Sequence, residues 1–137
     1  MKTVVVDASL VLGFLIKSNK IAIKEFPQLL QSEKNDKLKI VSLALLQLEV
    51  ANGLRFSHSG REMTASILEK FINLPIKLVN LTDNLLIQAT DYSYQNKTTV
   101  YDTAYHLLAI SRNATLLTCD RKYYLAAKQL NHIEYIG

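Results

Sequence analysis

TTVYDTAYHLLAISRNATLLTCDRKYYL, Thr98 to Leu125, decides how this chain is read. Asp102 opens an apolar helical run (Ala104, Leu107, Leu108, Ile110), and Asp120 closes a strand-like run, Thr115 to Cys119. Helix into short buried strand, with no alternation of polar and apolar residues in the strand, is the pattern of a parallel sheet covered by helices. From Thr98 to Ile110 the only formal charge is Asp102. A lone carboxylate among apolar residues is costly to bury unless something pairs with it.

Working outward, the same pattern repeats. Thr3 to Val6 is a β-branched run and reads as a buried strand, followed by Asp7-Ala8-Ser9 and a helix to about Lys17. Ile21 to Ser32 reads as a second helix that Pro27 bends or restarts, with Phe26, Leu29 and Leu30 on one side. Leu38 to Val41 is a second strand, with Ser42 as the cap of a helix from Ala44 to about Ser57. From Ile40 to Leu54 the sole charge is Glu49, so this helix is expected to be buried on most sides. Arg61 to Asn73 is an amphipathic helix ended by Pro75, and Ile76 to Val79 a third strand. Thr82 or Asp83 caps a helix to about Tyr94; Arg121 to Lys128 is a short helix, and a last strand lies near Ile133 to Ile136. The expected architecture is α/β: one domain over residues 1–137, with a parallel sheet of about five strands flanked by helices on both faces.

The bulk figures agree. The chain has 137 residues, is 49% hydrophobic and 20% charged, and contains only two prolines and four glycines. That is about one domain with enough apolar residues to fill a core. One cysteine, Cys119, excludes an internal disulfide and a cysteine-based zinc site. The apolar N-terminus is interrupted by Asp7, so strand, turn and helix is a better reading than a signal peptide. No uncharged run approaches the roughly 18 residues a membrane span needs. No membrane association and a cytoplasmic location are expected.

Asp7, Glu49, Asp102 and Asp120 share the same isolation. In an open parallel sheet, ligands bind beyond the carboxyl ends of strands, where the strand order reverses. Asp7 follows the first strand and Asp120 follows the Thr115 to Cys119 strand, while Glu49 and Asp102 lie on helices leading to or from that edge. One cleft could receive all four. Four carboxylates there would repel each other unless a divalent cation joined them, and all-oxygen ligation suits Mg²⁺ or Mn²⁺. The net charge is +4, and 16 Lys and Arg against the eight other acids leaves +8 outside the site, a balance suited to a polyanion. Phosphodiester hydrolysis is the chemistry that follows. The bland alternatives stay open: Asp7 and Asp102 as helix caps, Asp120 as a turn residue, Glu49 paired with an arginine.

VVVDAS with Asp7, LLQLEVANGL with Glu49 and Asn52, VYDTAYHLLA with Asp102, and ATLLTCDRKY with Thr118 and Asp120 together resemble the PIN-domain family, and specifically the toxin ribonucleases of VapBC-type toxin–antitoxin pairs. The resemblance covers essentially the whole chain. It implies a metal-dependent endoribonuclease acting on single-stranded RNA, with Asp7, Glu49, Asp102 and Asp120 as the catalytic, metal-coordinating acids and Ser9, Asn52 and Thr118 as supporting polar residues. It implies Mg²⁺ (or Mn²⁺), an RNA substrate, a cognate antitoxin protein and a homodimer. A catalytically silent RNA- or protein-binding module on the same fold is the alternative. A receiver domain or phosphatase ranks lower, because Ala8 and Ser9 stand where a second carboxylate is wanted.

His106 departs from the family, which usually has an aliphatic residue there. It is expected to pack in the core with its nitrogens hydrogen-bonded rather than to touch the metal. Cys119 is expected as a small buried hydrophobe. All seven tyrosines fall after Asp91, and of these Tyr123 or Tyr124, beside Arg121 and Lys122, is the candidate for stacking on a base. Phe26, Leu29 and Leu30 are expected to meet an antitoxin segment.

Overall fold

Val4, Val5 and Val6 point alternately to opposite sides of a strand, yet all three are buried. A strand with no exposed face lies inside a sheet covered on both sides. The computed structural model, which describes residues 1–137, places this strand, β1 (Lys2–Val6), at the centre of a five-stranded parallel sheet of order β3-β2-β1-β4-β5. The other strands are β2 (Leu38–Leu43), β3 (Lys77–Val79), β4 (Thr115–Thr118) and β5 (Ile133–Tyr135). Val4 pairs in register with Ile40 on one side and Thr115 on the other. Seven helices connect them: α1 (Ala8–Leu15), α2 (Lys20–Lys34), α3 (Leu45–Arg55), α4 (Arg61–Ile72), α5 (Asp83–Asn96), α6 (Val100–Ser111) and α7 (Arg121–Ala127), with a 3₁₀ turn at Lys128–Leu130. No helix is long and apolar enough to cross a membrane.

The α/β architecture read from the sequence is the one observed. Strand order turns back on itself at β1, so the carboxyl ends of β1 and β4 flank the switch point. Asp7 lies immediately beyond the first, Cys119 and Asp120 beyond the second.

Several local expectations change. Ser42 does not cap α3. It is fully buried in β2, and its hydroxyl donates to the Val6 carbonyl at 2.6 Å, tying the ends of β2 and β1 together. Ala44 occupies the N-cap instead and has no side-chain bond. Thr82, not Asp83, caps α5, accepting from the Leu85 N–H at 3.2 Å. Helix α2 runs unbroken through Pro27, started by Asn19, whose side chain accepts from the N–H groups of Ile21 and Ala22. Phe26 lies wholly inside the protein, its ring 4.9 Å from that of Phe14, so it is core and not a docking residue; Leu29 and Leu30 also pack against the core.

The helix buried on all sides is α6, where every residue from Thr103 to Ala109 is buried. It is not α3. Leu46, Val50 and Leu54, spaced by four, face the core, while Leu48 and Phe56 face solvent at 71% and 64% exposure. The inward side of α3 sits tight against α1: a Cβ at Gly53 would come within 2.4 Å of the Leu12 side chain.

Candidate metal centre

Asp7 is the most constrained acid. As N-cap of α1 its Oδ1 accepts the Leu10 N–H at 3.0 Å and the Ser9 hydroxyl at 2.7 Å, while Oδ2 accepts the Thr118 hydroxyl from β4. Ser9 and Thr118 lie 3.2 Å apart with both protons directed at Asp7. Their oxygens in turn accept the N–H groups of Cys119, at 2.8 Å, and Asp120, at 3.0 Å. This lattice stitches the ends of β1 and β4 together. A carboxylate has about four lone-pair sites, so three bonds leave one, on Oδ2. Burial raises the Asp7 pKa to about 6 despite these donors, with Asp102 adding repulsion.

Asp102 sits in the first turn of α6, whose cap is Thr99: the threonine hydroxyl oxygen accepts the Asp102 N–H at 3.1 Å. Burial pushes its carboxyl pKa up, Thr99 holds it down, and Asp120 pushes it up further. Asp120 caps α7 by accepting the Tyr123 N–H at 2.9 Å. Asp102 and Asp120 line one cleft of about 320 Å³ together with Lys97, Thr98, Lys122 and Tyr123.

Glu49 approaches from the other side. Half-buried on α3, it accepts the Tyr105 hydroxyl from α6 at 2.7 Å. Burial raises its pKa, the Tyr105 bond lowers it, and Asp102 raises it. With exposed Asn52 and Tyr101 it lines a neighbouring open cavity.

Asp102 is the acid whose charge reaches the other three: it repels Asp7 and Glu49 and is repelled by Asp120. No cation is among the influences on Asp7, Glu49 or Asp102. The donor chemistry fits a hard divalent ion. No three of the carboxylates stand at ligating distance from a common point. Mg²⁺ usually takes one or two protein carboxylates and keeps several waters, so a loose set of this kind suits it.

Two residues of the site escaped the sequence reading. Tyr105 is buried at 1% exposure, and burial together with the Glu49 carboxylate holds its phenol well above the usual pKa. A tyrosine inside a buried helix needs a hydroxyl partner, and that was the available signal. Thr99 with Asp102 three positions on forms the Thr-x-x-Asp start of a capped helix.

Other expectations sort cleanly. His106 is fully buried, with Nε2 2.7 Å from the Asn131 carbonyl and Nδ1 2.7 Å from the Tyr123 hydroxyl. A carbonyl only accepts, so Nε2 carries the proton and Tyr123 donates to Nδ1. Burial lowers the His106 pKa, which keeps the ring neutral and in the core. The same bond removes Tyr123 as a stacking platform: it is buried at 4% exposure. Tyr124 is half-covered and packs on Tyr135 with ring centroids 5.7 Å apart. Cys119 is partly buried, and burial, then Asp7, pushes its thiol pKa up to about 12.

Comparison with known proteins adds the following. The family model of the PIN domain matches residues 4–129. No curated protein matches the chain. Among solved structures, the chain is similar to VapBC2 from Rickettsia felis bound to a DNA fragment from their promoter, with a TM-score of 0.71, 14% identity and coverage of 98% of this chain and 99% of that one. It is similar to PAE2754 from Pyrobaculum aerophilum, with a TM-score of 0.61, 23% identity and coverage of 91% and 86%. It is also similar to VapC20 of Mycobacterium tuberculosis, a sarcin-ricin loop cleaving toxin, with a TM-score of 0.64, 9% identity and coverage of 89% and 94%.

Proposed function

The chain belongs to the PIN-domain family, and on that premise we propose that it is a metal-dependent endoribonuclease, cleaving single-stranded regions of RNA as the toxin of a type II toxin–antitoxin pair. One observation carries this reading: Asp102 shares one cleft with Asp120 at the switch point, while the buried Asp7 and Glu49 lie close enough that Asp102, after burial itself, adds to the rise in their pKa. Structural caps alone would not need to be brought together. The fold shared with VapBC2 and with the sarcin-ricin loop cleaving toxin VapC20 is in keeping with this reading.

When bound, Mg²⁺ or Mn²⁺ supplies Lewis-acid polarisation of the phosphodiester and activation of water. Asp7, Glu49, Asp102 and Asp120 are the residues that would hold it. Asp7 is locked by Ser9, Leu10 and Thr118 and offers its remaining Oδ2 lone pair. Glu49 is oriented by the Tyr105 hydroxyl, which donates to its Oε1, and burial, with Asp102 nearby, raises its pKa. Asn52, one turn beyond Glu49, is placed to hydrogen-bond the RNA. The antitoxin would cover apolar side chains left exposed, Ile21 and Ile23 of α2 and Leu48 of α3, and the chain would work in the cytoplasm as a homodimer.

The test is cleavage of single-stranded RNA with Mn²⁺ or Mg²⁺ and its arrest by EDTA, repeated for Asp7→Asn, Glu49→Gln, Asp102→Asn and Asp120→Asn. Each variant should stay folded and lose cleavage on the order of 10²-fold or more. Full activity in EDTA, or near-native cleavage by folded Asp7→Asn, Glu49→Gln and Asp102→Asn, would overturn the assignment.

A further inference from the structure

The turn between α3 and α4 encloses a cavity of about 580 Å³, lined by Arg55, Phe56, His58, Gly60, Arg61 and Thr64. It lies apart from the acids and plays no part in the chemistry above. Two guanidinium groups and an imidazole face one space, and none of the lining residues is acidic. The first turn of α4 does contain Glu62, but Arg61 and Thr64, three apart, face the cavity while Glu62 is not among its lining.

The backbone adds to the positive field. His58 and Gly60 take positive φ, 64° and 86°, and this turn delivers the chain to the start of α4. Gly60 is the N-cap of this twelve-residue helix and supplies no side-chain bond to its first N–H groups. A Cβ at Gly60 would meet nothing within 4 Å, so the helix start is open to a ligand. Free N–H groups and the helix dipole at such an end favour anions. Thr64, by contrast, is engaged: its hydroxyl donates to the Leu54 carbonyl at 3.3 Å and fixes α4 on the end of α3. The aromatic component is Phe56, 64% exposed, with the Arg55 guanidinium 4.8 Å from its ring centroid.

Position gives the cavity its meaning. Seven residues of helix separate Glu49 from Phe56, which puts them on nearly the same face and about 10 Å apart along the axis. Asn52 lies between them and is exposed. Glu49, Asn52 and Phe56 thus follow one another along α3 from the acids toward the basic turn.

We propose that this turn is a second RNA-binding site: Arg55 and Arg61, with His58 and the open start of α4, hold a backbone phosphate of the same single strand whose scissile phosphate lies at the acids, and Phe56 packs against a base. Charge plus an exposed aromatic is the combination that single-stranded nucleic acid uses, whereas an acidic protein segment would need only the charge. The inference rests on the RNA-cleavage reading for the identity of its ligand, and it assigns to α3 a second duty, guiding the strand toward Glu49.

The experiment measures binding of a fluorescent single-stranded oligonucleotide, long enough to run from the acids to the turn, by the full chain in EDTA over a range of salt. Cleavage of the same oligonucleotide and of a much shorter one is followed separately with Mn²⁺. Arg55→Ala/Arg61→Ala should weaken binding on the order of tenfold and flatten the log-log salt slope by about 0.7, the share of the one phosphate charge no longer neutralised. The thermal midpoint should not move, because both side chains are exposed. Cleavage of the long oligonucleotide should show a raised KM and an unchanged kcat, cleavage of the short one should be unaffected, and Arg55→Lys/Arg61→Lys should restore most of the binding. Native affinity and slope in the alanine variant would overturn the proposal while leaving the nuclease reading intact. So would loss of antitoxin binding with RNA binding unchanged, which would make the turn a protein-docking site. Arginine-dependent binding with no cleavage under any metal would keep the site and remove the nuclease reading instead.

Discussion

The Tyr105 hydroxyl donates to Glu49 Oε1 at 2.7 Å, joining the buried Thr103–Ala109 stretch of α6 to the half-exposed α3 across 56 positions of sequence. The bond favours the ionised carboxylate, so its removal should raise the Glu49 pKa further above the ordinary range. Tyr105→Phe should cost about 1 kcal/mol of stability. It should cost more in cleavage, on the order of tenfold, because Glu49 loses its fixed orientation. The acidic limb of the pH–rate profile should move to higher pH. A profile that stays in place, with cleavage falling only as folded protein is lost, would reduce Tyr105 to a core residue.

Asp7 makes stability depend on pH in an unusual direction. Its pKa is raised from 3.8 to about 6 in the folded chain. Between those values the native state holds a proton that the unfolded chain has released, so stability is fully present below pH 3.8 and is lost as pH rises through 6. A shift of about two units corresponds to about 3 kcal/mol. The thermal midpoint difference between Asp7→Asn and the native chain, measured without metal, should grow in favour of the variant from pH 4 to pH 7. Added Mn²⁺ should close the gap at pH 7 and do little at pH 4, where the proton competes for the site. A difference independent of pH would show that the Asp7 carboxyl titrates normally.

His106 should act with the opposite sign. Burial lowers its pKa from 6.5, so its contribution is present above that value and is lost as pH falls. It also holds the Asn131 carbonyl, where the backbone passes through positive φ at Asn131 and His132. His106→Ala should therefore cost roughly 2–4 kcal/mol. Manganese affinity of the remaining folded protein, measured by titration calorimetry, should not change. A weakened metal site would make His106 part of the centre rather than of the core.

The surface left for a protein partner differs from the one the sequence suggested. Phe26→Ala should unfold the chain, since its ring is wholly buried against Phe14. Ile23→Ser with Leu48→Ser changes side chains 38% and 71% exposed and should leave the melting temperature within about 2 °C of the native value. The same pair should weaken antitoxin binding at least tenfold by surface plasmon resonance. Undiminished affinity would place the antitoxin elsewhere.

Periodicity carried the fold because parallel strands buried on both faces are written as short, unbroken β-branched runs such as Val4-Val5-Val6, whereas the apolar runs of the helices, such as Leu107 to Ile110, are richer in leucine and alanine. The isolation of Asp7, Glu49, Asp102 and Asp120 from other charges was legible for the same reason. Exposure was not. Up to Leu54 the only charge in α3 is Glu49, and a scarcity of charge cannot tell a helix sunk in the core from one with apolar side chains facing outward; Leu48 and Phe56 face outward. Tyr123 misled because its neighbours Arg121 and Lys122 point to solvent while its own ring turns inward to His106. Ser42 misled because a serine just after an apolar run suits a helix cap and a strand end equally well, and only the distant Val6 carbonyl decides between them.

The strand at the centre of the sheet also precedes the other four in the sequence. β1 finds β2 early, but its other neighbour, β4, is made last but one, and the Thr118 hydroxyl that braces Asp7 lies 111 residues downstream. Asp102 and Asp120 arrive equally late. A nascent or prematurely terminated chain thus holds at most Asp7 and Glu49, without the lattice that aligns them. The four acids can therefore be aligned only after β4 and α7 have joined the sheet that β1 begins.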